Sequence, residues 1–305
     1  MSEPEAESDD DATAHAAAFQ RDGFCVVPSL IPPAAAADAR HRSAQLWTTR
    51  HAAAEWLMAA HQLNQPSPQA WIRDIALSPR VGRLVSALLG GRRPALLSSQ
   101  LFVKPPSAGA AADDDGRVPW HQDGAAGAPA GSIAVWLALE AVGPRNGALR
   151  VLPGLHTRGR LPLAAAPPAV RHFEEQIDAA ALAPHLDRAV AYELEPGGAG
   201  VHGPWAPHCS GPNRSGVDRH VLVLRYVDAA AQARRGELLW RVVENETGGE
   251  FIEVPWEAEP PSDGDGGGEE AKEPKRRRAE PGALAEYVCW STGERIDRHC
   301  YVLET

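Results

Sequence analysis

The sequence predicts a mainly β protein. It reads as an antiparallel barrel or sandwich, long enough for an eight-stranded jelly roll, with helices before it and a small β appendage after it. Three observations carry this. From residue 95 to about 230, apolar residues recur with period two in short runs broken by Gly and Pro. Before residue 95 the apolar spacing is helical. The 305 residues, 44% hydrophobic and 23% charged, suffice for one sizeable core.

The elements follow in chain order. Residues 1–14, MSEPEAESDDDATA, are acidic and are expected to form a disordered tail. In AAAFQRDGFCVVPSLIPP a helix stops at Gly23 and an apolar strand, FCVV, is closed by Pro28. Residues 34–60 are Ala-rich, with Leu46, Trp47, Trp56 and Leu57 at helical spacing. Residues 78–90 read as a helix capped by Ser78, with Pro79 in first position and Gly90 as stop. The strand-like runs are ALLSSQLFVKP, VPWHQD, GSIAVWLALEAV, GALRVLPG, AVAYELEPG, GAGVHGPWAPH and DRHVLVLRYVD. A helical interruption is expected at about 171–188. The main domain is thus 15–230. Beyond it, 231–258 and 283–305 form the β appendage, split by a low-complexity stretch at 259–282 that is expected to be a disordered loop.

Charge narrows the function. The net charge is −10, but residues 1–11 hold six acids and no base, and 259–282 hold seven acids and five bases. The remaining body is near neutral, so no nucleic-acid surface is expected. No apolar run is long enough for a membrane span, and the N-terminus does not read as a secretory signal. The four cysteines (Cys25, Cys209, Cys289, Cys300) form no CxxC. They read as reduced thiols of a cytoplasmic protein, with a Cys289–Cys300 bridge as the alternative. PKRRR at 274–278 reads as a solvated charge run, its other reading being a nuclear address.

His-x-Asp/Glu occurs at His121/Asp123, His172/Glu174 and His185/Asp187. On a strand, residues two apart share a side and can reach one metal; on a helix they point apart. The latter two pairs fall in the expected helical interruption, so His121 and Asp123 are the candidate pair. Two His and one carboxylate on one face leave positions open at Fe(II). The third ligand lies in HGPWAPHCSGPNRS: His208 beside the small-residue turn, or His202 six residues earlier. Arg219, eleven residues after His208, offers a fork for a carboxylate. Arg225 shares its strand phase and is the runner-up.

Together these motifs resemble the phytanoyl-CoA dioxygenase family of Fe(II)/2-oxoglutarate oxygenases. The matching text is FQRDGFCVVPSL, QLFVKPP, WHQDG, IAVWLALEAV with Asn146-Gly147, LRVLPGLH, and HCSGPNRS with Arg219, in family order across about 17–230. The resemblance implies a double-stranded β-helix (jelly roll). It implies His121, Asp123 and His208 as iron ligands and Arg219 as the partner of the distal carboxylate of 2-oxoglutarate. Lys104, Gln122, Trp136 and Ser210 match positions lining the cosubstrate pocket. Departures are Cys209 where the family text has Gly, PGLH in place of PGSH, and the acidic stretch SAGAAADDDGR before the metal strand. The implied activity is hydroxylation of a small organic substrate by dioxygen, with release of succinate and CO2. No nucleic acid or membrane partner is expected. The rivals are an inactive binding protein of the family, a metal cupin without 2-oxoglutarate, and an iron halogenase. Asp123 disfavours the halogenase, because chloride needs a vacated carboxylate position. The near-neutral body weakly disfavours an acyl-CoA.

Overall fold

The computed structural model describes residues 9–50, 57–59, 70–107, 116–126, 128, 131–167, 170, 173–230, 239–243, 250–254, 286–288, 295–297 and 300–302. In chain order, α1 (Asp9–Asp22) leads to β1 (Phe24–Val27), α2 (Pro33–Arg50), β2 (Leu57–Ala59), α3 (Ala70–Ala76) and α4 (Pro79–Leu88). The β region runs β3 (Pro94–Lys104), β4 (Val118–His121), β5 (Ile133–Ala138), β6 (Leu149–Val151), β7 (Leu163–Ala165) and β8 (Glu175–Ile177). After the short α5 (Ala179–Leu182) come β9 (Val190–Ala191), β10 (Ala199–His202), β11 (His208–Ser210) and β12 (Arg219–Asp228). Then follow β13 (Leu239–Val243), β14 (Glu250–Val254), β15 (Glu286–Val288), β16 (Arg295–Asp297) and β17 (Cys300–Val302).

The strands form two principal sheets, in the mainly β, jelly-roll arrangement expected. The larger has the order β1-β10-β5-β12-β3-β17-β13-β14, with β2 also on β3. The smaller has the order β4-β11-β6-β9. Alternation along the large sheet sorts its residues into two cores. Val135 and Leu137, Leu101 and Val103, and Leu222 and Leu224 face a layer built from α4, α2 and α3. Ala134, Trp136 and Ala138, with Val221 and Val223, face Leu149 and Val151 of the small sheet. At β3, β5 and β12 the large sheet is therefore covered on both sides, and β5 has no exposed residue. Each fully buried Leu or Val contributes about 1.5–3 kcal/mol, which is what holds the two sheets and the helices together.

Several boundaries differ from expectation. α1 begins at Asp9, inside the expected tail, and residues 1–8 lie outside the described residues. The 34–60 helix stops at Arg50, and Leu57 instead opens β2, opposite Phe102. Trp56 lies outside the described residues. α4 starts with Pro79 as expected, but the Ser78 hydroxyl makes no capping bond. Residues 171–188 are not one helix: β8 precedes α5 and a 3-10 turn. The 259–282 stretch and Cys289 lie outside the described residues, as does the side chain of Cys300. Among the described helices, none is long and apolar enough to cross a membrane.

Candidate metal centre

The small sheet delivers two of the ligands as a direct cross-strand pair. β4 and β11 are antiparallel, with His121 opposite His208 and ring centroids 4.1 Å apart. After His121 the chain turns. The Asp123 carbonyl accepts from Ala126 and Ala128, and Gly124 N–H donates to Pro204. A Cβ on Gly124 would meet the Trp205 ring at 3.0 Å, so the turn fits glycine closely. The turn brings Asp123 Oδ1 to 3.7 Å from His121 Nε2 and 3.8 Å from His208 Nε2. Among the described residues, these three form the one group whose donor atoms all lie within 4.8 Å of one another. Bonds of roughly 2.0–2.2 Å to each donor fit a single ion at that spacing.

The tautomers suit a metal. His121 Nδ1 donates to the Pro119 carbonyl at 2.9 Å, and His208 Nδ1 donates to the Ala206 carbonyl at 3.0 Å. A carbonyl only accepts, so each Nδ1 carries the proton and each Nε2 presents a lone pair inward. Burial, with neighbouring histidine charge second, lowers His121 to about 3 and His208 to about 4. Both are neutral ligands at pH 7. Burial alone would raise Asp123, but the Arg225 guanidinium, followed by the histidines, outweighs it and holds the carboxyl well below the usual range.

His202 also faces inward, from β10 of the large sheet, with its ring 4.4 Å from that of His208. Its Nε2 lies 4.0 Å from the other carboxylate oxygen, Asp123 Oδ2, and its Nδ1 lies 3.4 Å from the Tyr192 hydroxyl. The carboxylate therefore separates the two alternatives for the third ligand. His208 sits with His121 on Oδ1, and His202 sits behind, on Oδ2. Arg225 also donates to Oδ2, at 3.0 Å, and holds Gln100 with its other arm. Phe173 packs on the outer side of His121, its ring centroid 5.0 Å away.

A second polar cluster lies farther along the same interior. Arg219 and Lys104 are direct partners across β12 and β3, and both are buried. Lys104 Nζ donates to Ser210 Oγ and the Gly211 carbonyl, each at 2.6 Å. Arg219 donates to the Gly147 carbonyl at 3.1 Å and lies 5.1 Å from the Trp136 ring. Its Nε is buried without a hydrogen-bond partner. Burial lowers the guanidinium to about 10, with Glu140 acting against this. Gly147 makes the arrangement possible: at φ +75°, its Cβ would meet the Gly211 carbonyl at 2.7 Å and the Lys104 stem at 2.8 Å.

Lys104 thus contacts Ser210 and pairs with Arg219, which lies against Trp136, whereas Gln122 bonds elsewhere. The Gln122 carboxamide donates to the Gly159 and Trp205 carbonyls and accepts from Leu161 N–H. It ties together the loops around the Asp123 turn and has no donor to spare for a cosubstrate. Gly147, Tyr192 and Gln100 were not foreseen as parts of the site. The period-two phase of Gln100 with Lys104 is the one sequence signal that pointed inward.

Comparison with known proteins bears on this geometry. A family model described as phytanoyl-CoA dioxygenase matches residues 19–221. No curated protein matches the chain. Among solved structures, EvdO2 from Micromonospora carbonacea var. aurantiaca is 28% identical, with a TM-score of 0.53 over 70% of this chain and 89% of that one. ThoJ, a non-heme monooxygenase, is 25% identical, with a TM-score of 0.51 over 70% of this chain and 76% of that one. The epimerase SnoN, solved with Fe3+, alpha ketoglutarate and nogalamycin RO, has a TM-score of 0.59 over 97% of this chain and all of its own; at 18% identity it speaks for the fold alone.

Proposed function

The chain belongs to the phytanoyl-CoA dioxygenase family, and from that premise we propose that it is an Fe(II)- and 2-oxoglutarate-dependent oxygenase hydroxylating a small organic substrate. One observation carries the reading. A three-donor metal set and a buried guanidinium with an unanswered Nε line the same intersheet space. A metal cupin without 2-oxoglutarate would have no use for that guanidinium. With Asp123 in place, hydroxylation is favoured over halogenation.

Bound there, Fe(II) and 2-oxoglutarate supply dioxygen activation, with succinate and CO2 as products. The residues do the rest. His121 and His208 offer neutral Nε2 atoms held by their Nδ1 bonds. Asp123 offers one oxygen and a negative charge. Arg219 receives the far carboxylate through its planar fork, which offsets the cost of burying an incompletely paired cation. Ser210 and Lys104, already joined, would stand beside that carboxylate, and Trp136 packs against the guanidinium. Ala134, Ala138, Val221 and Val223 keep the surrounding space apolar and dry, which strengthens each polar contact inside it.

The test is succinate formation from 2-oxoglutarate by Fe(II)-loaded protein, screened against a metabolite library, with product mass read in parallel. Hydroxylation adds one oxygen to the product. A product of unchanged mass and inverted stereochemistry would keep the cofactor reading and replace the hydroxylase one. Absence of both metal uptake and succinate would overturn it.

A further inference from the structure

One row across the large sheet is built around a small residue. Arg225 on β12 pairs with Ala134 on β5, which pairs with His202 on β10. Ala134 is buried, and its methyl is the shortest side chain of the three. Asp123 Oδ2 reaches both of the longer ones, 3.0 Å from Arg225 and 4.0 Å from His202. The register of β12 against β3 shifts at this level: Arg225 is opposite Ser98, but Tyr226 is opposite Leu96. Such a bulge re-aims side chains beside functional sites. Tyr226 points the other way and donates to the Ala76 carbonyl, so Arg225 points inward. Gln100, two residues along β3, accepts from the second arm of Arg225 and fixes its plane.

We propose that Arg225 is a positioning residue for the metal carboxylate: braced by Gln100, it seats Oδ2 of Asp123 over Ala134, so that the ion meets Oδ1 alone. The inference rests on the metal reading above and deepens it. A carboxylate free to rotate would offer both oxygens to the ion and fill a position that a bound cosubstrate or dioxygen requires. A guanidinium on one oxygen prevents this, because it has a fixed fork and cannot lose its charge. The same seat explains why the buried carboxylate is tolerated before any ion arrives: its charge is already paired.

The experiment uses Co(II) as the probe, in the full chain. Arg225→Met is expected to weaken Co(II) binding by about 10–100-fold and to change the visible Co(II) spectrum, reporting a new coordination number. Arg225→Lys keeps the charge but loses the fork and the Gln100 brace, and is expected to fall between wild type and Arg225→Met in affinity. Ala134→Val, which fills the seat, should resemble Arg225→Met with a milder loss. Wild-type spectrum and affinity in Arg225→Met would overturn the proposal. A metal-independent arm guards against misfolding. In Asp123→Ala the seat keeps its cation and loses its anion. Bromide should then raise the melting temperature more than acetate of equal ionic strength, and the Asp123→Ala/Arg225→Met protein should show no such difference. Equal responses in the two proteins would also overturn the proposal. If the wild-type chain takes up no ion at all, the metal reading fails, and the bromide arm still decides whether Arg225 seats a negative charge there.

Discussion

Two buried polar clusters sit back to back on β12, and they are built to different rules. On the side facing the helices, Ser43 Oγ is 2.7 Å from His220 Nδ1, and Glu140 takes both the Arg40 guanidinium and His220 N–H. Trp47 Nε1 donates to Asp218 in the same patch. Among the described residues, this cluster leaves no buried side-chain polar atom without a partner. On the side facing the small sheet, Arg219 keeps an unpartnered Nε, and two imidazoles aim lone pairs past a carboxylate at one point. Both sides use histidine, arginine and acid, and burial depresses the histidines of both. Residue type therefore does not separate them; the unfilled valences do. A closed cluster docks a helix, and an open one awaits a ligand.

The strongest test of this contrast removes a histidine from each side. His121→Ala is expected to reduce succinate formation at least about a thousandfold, some 4 kcal/mol in barrier terms. It should also abolish the rise in melting temperature on adding Fe(II) or Mn(II), a rise worth about 2.7 kcal/mol at a hundred times the dissociation constant. His220→Gln should leave the metal response intact. A metal response that survived His121→Ala and vanished in His220→Gln would reverse the assignment of the two clusters.

How far the sequence reveals these clusters depends on the range of the physics. Period-two alternation placed β3, β5 and β12 and put Arg219, Val221, Val223 and Arg225 on one face, because strand phase is local. The same rule selects His121/Asp123 over the other two pairs, although Glu174 precedes a strand and lies in no helix. Phase alone cannot divide His202 from His208, since both face inward; the two oxygens of Asp123 do so in three dimensions. Gln122 shows a related limit. A carboxamide next to two ligands is equally suited to a cosubstrate or to backbone groups, and here loops 37 and 83 residues away in sequence claim it. The early end of α2 depends on the pairing of β2 with β3, a long-range contact that Ala-rich helix propensity does not register.

Acid should separate the two sides next. On the open side His121, His202 and His208 have depressed folded values of about 3, 4 and 4, mainly through burial; on the closed side His220 lies at about 3. The unfolded chain binds these protons near pH 6.5, so stability is intact above that pH and is lost as the pH falls from about 6.5 toward 4. Asp123 adds nothing in this window: its depressed value costs stability only below the unfolded carboxylate range, near pH 3.9. Each histidine costs about 2 kcal/mol by pH 5, an order-of-magnitude figure. Urea titrations of the metal-free protein should show a steep loss between pH 7 and pH 5, shallower in His202→Gln and in His220→Gln. A flat profile would mean that these histidines accept protons in the folded state and that the interior is wetter than its packing implies.

Arg219→Lys sharpens the contrast more gently. It keeps the charge opposite Lys104 and loses the fork. The apparent KM for 2-oxoglutarate should rise about tenfold, near 1.4 kcal/mol, with Fe(II) affinity unchanged. Loss of 2-oxoglutarate dependence in Arg225→Ala, with none in Arg219→Ala, would move the anchor to the other end of the strand.

The smallest expected effect comes from Ser43→Ala, and it tests whether the closed cluster is only closed. Ser43 is fully buried on α2, and its hydroxyl answers His220, the residue immediately after Arg219. Removing it leaves a buried imidazole nitrogen without its partner, which costs about 1–3 kcal/mol of stability. If the cluster merely docks α2, that loss appears in the urea midpoint, and the KM for 2-oxoglutarate stays at its wild-type value. Ser43→Thr, which restores the hydroxyl, should recover the midpoint if the extra methyl is accommodated. There is a physical route to a different outcome. Asp218 and His220 flank Arg219 on the chain and are both held by α2, through Trp47 and Ser43. A loosened α2 could tilt the start of β12 and misdirect the guanidinium. A KM that rises in Ser43→Ala and falls back in Ser43→Thr, with Fe(II) affinity constant throughout, would show that the helix side holds the anchor in place, and that the two faces of β12 work as one device.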